Sequence, residues 1–224
     1  MTVVALAVTG GLTDSAEIAL HIASLWPRPV TVVEADPDGG RLAIRNDWPP
    51  RPGLVDLASV SRSASGSGGE SQARRLDARR RVVVAPPSPE AVIAALRLLS
   101  SSTHRLDDLL GGDVLIDIGR IRPESPASPL VAAADRRVLV VRRDAEDVVA
   151  TIHRRNLLES FGDWLVLPAG GRYPIDQVRT TLSWKVGADL LPSNKKEAGL
   201  LRATISDLAG DPMSMASLPV GEVA

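Results

Sequence analysis

The residues most suggestive of chemistry are Thr9-Gly10-Gly11-Leu12-Thr13-Asp14-Ser15, between the apolar run Val3 to Val8 and the amphipathic run Ala16 to Leu25. A glycine pair and a hydroxyl between strand and helix outline a phosphate-binding loop, G-x-x-x-x-G-K-[ST]. In such a loop backbone N–H groups curl round the phosphates, the lysine neutralises them and the hydroxyl ligates magnesium. Gly10, Gly11 and Ser15 keep the outline, but Asp14 stands where the lysine belongs. One charge pair at about 4 Å is worth roughly 4 kcal/mol at an effective dielectric near 20, so reversing its sign swings binding by several kcal/mol. That outweighs the remaining backbone hydrogen bonds, each worth about 0.5–1.5 kcal/mol net. The local chemistry therefore predicts a loop that kept its shape and lost, or greatly weakened, its hold on nucleotide.

Two further constellations stand out. Glu34-Ala35-Asp36-Pro37-Asp38-Gly39-Gly40 closes the apolar run from Val30, and Asp117 closes a later one, Val114 to Ile118. Acids at strand ends beside a crevice sit where open α/β sheets bind ligands. Asp36 has an equal structural reading, a turn whose acids bond their own backbone. For Asp117 the structural reading is the stronger: it caps a loop or pairs with Arg120 or Arg122. Arg74, Arg75, Arg79, Arg80 and Arg81 form a basic cluster. It either touches nucleic-acid phosphates or is a solvated face interrupted by Asp77; with no interleaved aromatics, the solvated face is favoured.

Positioning these groups requires short strands buried on both faces, alternating with amphipathic helices. Strands are expected at Val3–Val8, Val30–Glu34, Val82–Ala85, Val114–Ile118, around Val138–Val141, at Trp164–Pro168 and at Val186–Pro192. Helices are expected from a cap at Ser15, after Gly53, at Pro89–Leu99, Leu106–Leu110, Ala145–Leu158, Ile175–Trp184 and Asn194–Leu208. The class is α/β: a doubly wound, mostly parallel sheet with helices on both faces, a three-layer sandwich. Residues 1–210 are read as a single domain with a mobile Ser/Gly/Arg loop around 61–81, and 211–224 as a flexible tail. Trp164 and Trp184 lie within apolar patterns and are read as packing residues.

Composition narrows the functions. The net charge of -1 gives no general attraction to nucleic acid or anionic lipid. There is no cysteine, which excludes disulfides, thiolate nucleophiles and cysteine-bound zinc. His21, His104 and His153 lack metal-ligand spacing, so no metal site is expected. The apolar runs are too short to span a bilayer and no signal peptide is recognisable, so the expected location is cytoplasmic, without membrane insertion. The tail has no lysine or arginine with which to sit on a membrane surface.

The order Val3–Val8, Gly10-Gly11, helix, Val30–Gly40 and Asp113–Gly119 resembles the ParA/MinD family of deviant-Walker ATPases, from Val3 to about Leu201. Family members read K-G-G-x-G-K-[ST] at the first motif, carry a D-x-D-like motif at the second strand and a Walker B aspartate later. On that alignment Thr9 takes the place of the signature lysine, Thr13 that of a glycine and Asp14 that of the phosphate-binding lysine. Asp36 matches the second acid of D-x-D and Asp117 the Walker B aspartate, while Gly171 falls where relatives often carry an asparagine toward adenine. The resemblance implies a P-loop NTPase-like fold whose nucleotide positions (Gly10, Gly11, Asp14, Ser15, Asp36, Asp117) are vestigial. The departures from the family motif imply no catalytic residue and no cofactor, and with the resemblance they imply a scaffold or positioning role in chromosome or plasmid partitioning. Pilus or secretion localisation, as in the TadZ/CpaE-like branch, is the other setting. Expected partners are proteins, such as a secretion or pilus ATPase, a partitioning protein or a second copy. The alternatives are a slow ATPase binding ATP and magnesium with Arg41, Arg120 or Arg142 as substitute cations, and, less favoured, a DNA-binding module through Arg74–Arg81.

Overall fold

Successive side chains of the run Val3–Val8 point to opposite faces, and both faces are dry. Val3, Ala5 and Ala7 join one apolar cluster, while Val4, Leu6 and Val8 join another. A strand with no solvated side needs a helical layer above and below. The structure, a computed structural model, describes residues 1–10, 14–63 and 68–210.

The strands are β1 (Val3–Val8), β2 (Val30–Glu34), β3 (Arg74–Arg75), β4 (Arg80–Val83), β5 (Asp113–Arg120), β6 (Arg136–Arg143), β7 (Leu165–Gly171) and β8 (Lys185–Val186). They form one eight-stranded sheet in the order β3-β4-β2-β5-β1-β6-β7-β8. Every pairing is parallel except β3 with β4. The helices are α1 (Ser15–Ser24), α2 (Leu42–Arg45), α3 (Leu54–Val60), α4 (Pro89–Ser100), α5 (Leu106–Leu110), α6 (Ser128–Ala133), α7 (Ala145–His153), α8 (Arg155–Glu159), α9 (Ile175–Leu182) and α10 (Lys195–Leu208). Buried residues of α1, α2 and α10 pack on one face and those of α3 to α9 on the other, giving the expected three layers. Asp113 ties the first β-α-β unit together. Its buried carboxylate accepts the Thr2 N–H, the Trp26 indole N–H and the Arg28 Nε–H, each at 2.9 Å.

Five local expectations are corrected. The described part of 61–81 is not irregular throughout: Glu70–Gln72 forms a 3-10 turn, and Arg74–Arg75 pairs with β4 as an antiparallel edge hairpin. Accordingly β4 starts at Arg80 and stops at Val83. The helix expected over Ala145–Leu158 breaks at Arg154 into α7 and α8. Helix α9 stops at Leu182 because Ser183 takes a left-handed φ of 55°. The last strand is only two residues long, Lys185–Val186.

Trp164 is buried and donates its indole N–H to Leu158 O at 2.7 Å. Trp184 instead lies half-buried under the Arg155 guanidinium, 5.1 Å from its ring centre. Helix α4 carries the clearest local stop-and-start signals, Pro89 in its first turn and Ser88 as cap. Ser88 Oγ accepts the Ala91 N–H at 3.3 Å. Replacing Ser88 with Ala is expected to lower stability by about 1 kcal/mol, read as a lower urea midpoint at unchanged slope.

Candidate functional site

β1 lies between β5 and β6, and the chain leaves it in a different direction from its neighbours, so a crevice opens at the carboxyl ends of these parallel strands. Register decides which side chains meet there. Leu6 is opposite Asp117, and Glu34 is also opposite Asp117, which places the acid closing β2 beside Asp117 of β5.

Asp14, Ser15, Asp36 and Asp117, far apart in sequence, line one cavity together with Glu34 and Arg41. Its volume is about 10 Å³, room for about one water. Glu34 is buried and spans loops: Oε1 accepts the N–H groups of Arg41 (2.6 Å) and Leu42 (3.0 Å), and Oε2 that of Ala85 (2.9 Å). Burial raises its pKa against the lowering effect of those bonds. Asp36 is raised for the same first reason, while its Oδ1 accepts the Asp38 N–H at 2.9 Å. That contact is the Asx turn expected from the sequence. Asp36 also explains Gly119, where φ is +63° and a Cβ would stand 2.2 Å from the Asp36 carboxyl carbon.

Asp117 is the most perturbed group. Burial pushes it up from 3.8 to about 7, opposed by hydrogen bonds from the Gly119 N–H and the Ser15 hydroxyl, with Asp36 and Glu34 adding repulsion. Oδ1 accepts the Gly119 N–H at 3.0 Å, whereas Oδ2 is buried and accepts no hydrogen bond. The anticipated arginine partners go elsewhere. Arg120 donates to Gly10 O at 2.9 Å, and Arg122 makes a two-pronged pair with Asp38.

Asp14, not Ser15, is the N-cap residue of α1, and its side chain makes no capping bond. It forms an ion pair with Arg45 at the end of α2, and its Oδ1 is buried without a hydrogen-bond partner. Thr9 is buried; its hydroxyl meets that of Thr151 at 3.1 Å, and its carbonyl accepts from Arg154 at 3.1 Å. Gly10 packs against α7, where a Cβ would fall 1.5 Å from Asp147 Oδ1. Gly11 and Thr13 lie outside the described residues, as do residues 64–67 and the tail 211–224. Arg45, Thr151, Arg154 and Asp147 escaped sequence reasoning. Their partners stand as many as 145 positions away, and no motif marks them.

The basic cluster lies at the far edge of the sheet, away from the crevice. Its guanidiniums have internal contacts: Arg74 over Trp48 and toward Pro49 O, Arg75 on Asp77 O, Arg79 on Pro27 O, Arg80 on Asp77, and Arg81 on Glu70 and Leu110 O. The Arg79 backbone N–H and the Arg80 side chain hold Asp77 at about 2. Among the described residues no three acidic or histidine side chains converge as a metal ion requires, and no helix is long and apolar enough to cross a membrane.

Neither a family model nor a curated protein matches the chain in sequence. Solved structures match it in fold. A ParA family ATPase from Chlorobium tepidum aligns with a TM-score of 0.65 at 11% identity, covering 94% of this chain and 92% of that one. The MinC:MinD cell division protein complex of Aquifex aeolicus aligns at 0.62 and 15%, covering 100% of both chains. The cell division ATPase MinD of Pyrococcus furiosus aligns at 0.64 and 16%, covering 91% and 90%. Identities this low speak for architecture alone: the chain has the ParA/MinD-like P-loop NTPase fold.

Proposed function

We propose that this chain is a non-catalytic ParA/MinD-like protein, a scaffold or positioning partner in chromosome or plasmid partitioning or in placing pilus or secretion machinery. The observation that carries the reading is Asp14. At the helix start where the fold implies a phosphate-binding lysine there is a carboxylate, engaged by Arg45 and backed by Asp36 and Asp117. ATP with magnesium is the group the fold implies, and the residues present do not fit it. A triphosphate would meet like charge in a cavity of about 10 Å³. The carbonyls of Thr9 and Gly10 are held by Arg154 and Arg120. Ser15, Asp36 and Asp117 keep oxygen atoms that suit magnesium, yet among the described residues no three acidic or histidine side chains come together as a metal ion requires.

A protein partner fits this reading, since the Aquifex MinD relative is seen in complex with MinC. Exposed Val149, Ile152 and Leu191 offer apolar surface for such contacts or for a second copy. One observation favours the slow-ATPase alternative: Arg120 and Arg41 both reach the crevice. Of the substitute cations considered, Arg142 is engaged instead by Asp144.

Titration calorimetry separates the two. The expected result is no saturable heat with ATP and magnesium, and crosslinking unchanged by ATP. Magnesium-dependent turnover that vanishes in Ser15→Ala and Asp117→Ala, or an ATP-dependent dimer, would establish the enzyme instead.

A further inference from the structure

Beside the acid crevice, and sharing Asp14 with it, lies a second pocket of about 310 Å³. Its walls are apolar: Ile18 of α1, Ala169 of β7, and Leu190 and Leu191 beyond β8. Leu190 is buried, whereas Leu191 is 65% exposed at the mouth. The polar groups on this lining are Asp14, Glu17 and His21, all on the α1 side.

We infer that this pocket receives a lysine or arginine side chain, flanked by aliphatic residues, from a protein partner. The inference rests on the scaffold reading above and names the chemistry of the partner that reading requires.

The start of a helix ordinarily attracts anions, because its free N–H groups carry about half a positive charge. Here Asp14 and Glu17 set two full negative charges against it. The adjoining cavity adds Glu34, Asp36 and Asp117, the last only partly ionised at neutral pH because burial raises it to about 7, against the guanidiniums of Arg41, Arg45 and Arg120. A phosphate or carboxylate entering the pocket therefore meets a net negative wall. The ion pair with Arg45 leaves Asp14 Oδ1 buried with no donor, and an unsatisfied buried carboxylate oxygen is a standing penalty that an incoming N–H relieves. Long basic side chains combine an apolar stem with a charged head, which matches an apolar wall ending at acids. Arginine adds a planar fork able to engage Asp14 and Glu17 together. Leu191 then covers the aliphatic neighbours of the inserted residue.

The test uses the full chain labelled with nitrogen-15 and two peptides, acetyl-Leu-Arg-Leu-amide and acetyl-Leu-Glu-Leu-amide. The arginine peptide is expected to produce saturable amide shifts at Ile18, His21, Ala169 and Leu191. The glutamate peptide should bind at least roughly tenfold more weakly, the size expected when an attractive charge contact becomes repulsive. Glu17→Gln, an exposed substitution that spares the core, should weaken the arginine peptide several-fold, and Leu191→Ser should weaken it as well. Equal binding of the two peptides, shifts scattered over the surface, no shift at all, or full affinity in Glu17→Gln overturns the inference. Spectra with ATP and magnesium read out separately. Shifts at Gly10 and Ser15 would remove the scaffold reading, while the peptide data still answer for the pocket.

Discussion

Replacing Asp117 with Asn is expected to stabilise the fold by on the order of 4 kcal/mol at about pH 8, and to leave it nearly unchanged at about pH 4. The magnitude follows from the rise of this fully buried carboxyl from 3.8 to about 7, at about 1.4 kcal/mol per unit. The sign follows from proton counting. Below the unfolded value both states hold the proton, and the acid does not oppose folding. As pH rises past it the unfolded chain ionises first, so the folded state binds more protons and stability falls. The fall continues to about pH 7, where the folded group also ionises, and then levels off. Asparagine keeps an oxygen for the Gly119 N–H and removes the charge that Asp36 and Glu34 repel. Carboxylates with lowered values, such as Asp56 and Asp144, contribute in the opposite direction, so the difference between the two proteins is the quantity to follow. Urea melts at both pH values measure it. A variant no more stable than the native chain at the higher pH would mean that a cation already compensates Asp117.

Gly10→Ala is expected to destabilise the fold at the start of the crevice loop. The added Cβ would lie 1.5 Å from Asp147 Oδ1 and 2.2 Å from its Cγ, distances at which one of the groups has to move. Neither moves freely. Asp147 is buried on the first turn of α7, with Oδ2 taking the Arg142 N–H at 3.3 Å, and Gly10 O is held by Arg120. Overpacking of this kind costs about 3 kcal/mol, and the stiffer unfolded chain returns no more than about 1 kcal/mol. The net loss of about 2 kcal/mol should appear as a lower urea midpoint. Coupling with Asp147→Ala tests the cause. The double variant should be at least about 1 kcal/mol more stable than the sum of the single effects, because the alanine at 147 vacates the colliding space. Strict additivity would show that the glycine serves another purpose.

Much of the architecture was legible in the chain. Runs such as Val3–Val8 and Val138–Val141 are apolar at consecutive positions, which only a strand covered on both faces can bury, so sheet and layers follow from the pattern. The Leu106–Leu110 helix and the last helix, expected over Asn194–Leu208, were local signals and reappear where expected, the latter over Lys195–Leu208. Signals that depend on distant neighbours were not legible. Arg74–Arg75 reads as a polar loop, yet it becomes a strand because β4 offers an open edge beside it. Helix Ala145–Leu158 reads as continuous, yet it breaks at Arg154, whose guanidinium reaches back to Thr9 O.

At the crevice the same division holds. The sequence alone determined that an acid follows the glycine pair and that acids stand toward the carboxyl ends of the Val30 and Val114 strands, because charge is a property of residue type. Only the tertiary structure decided what those acids face: Arg45 beside Asp14, three backbone N–H groups around Glu34, and no partner for Asp117 Oδ2. Ion pairing and desolvation act over a few ångströms in space, between groups whose distance along the chain carries no information about whether they meet.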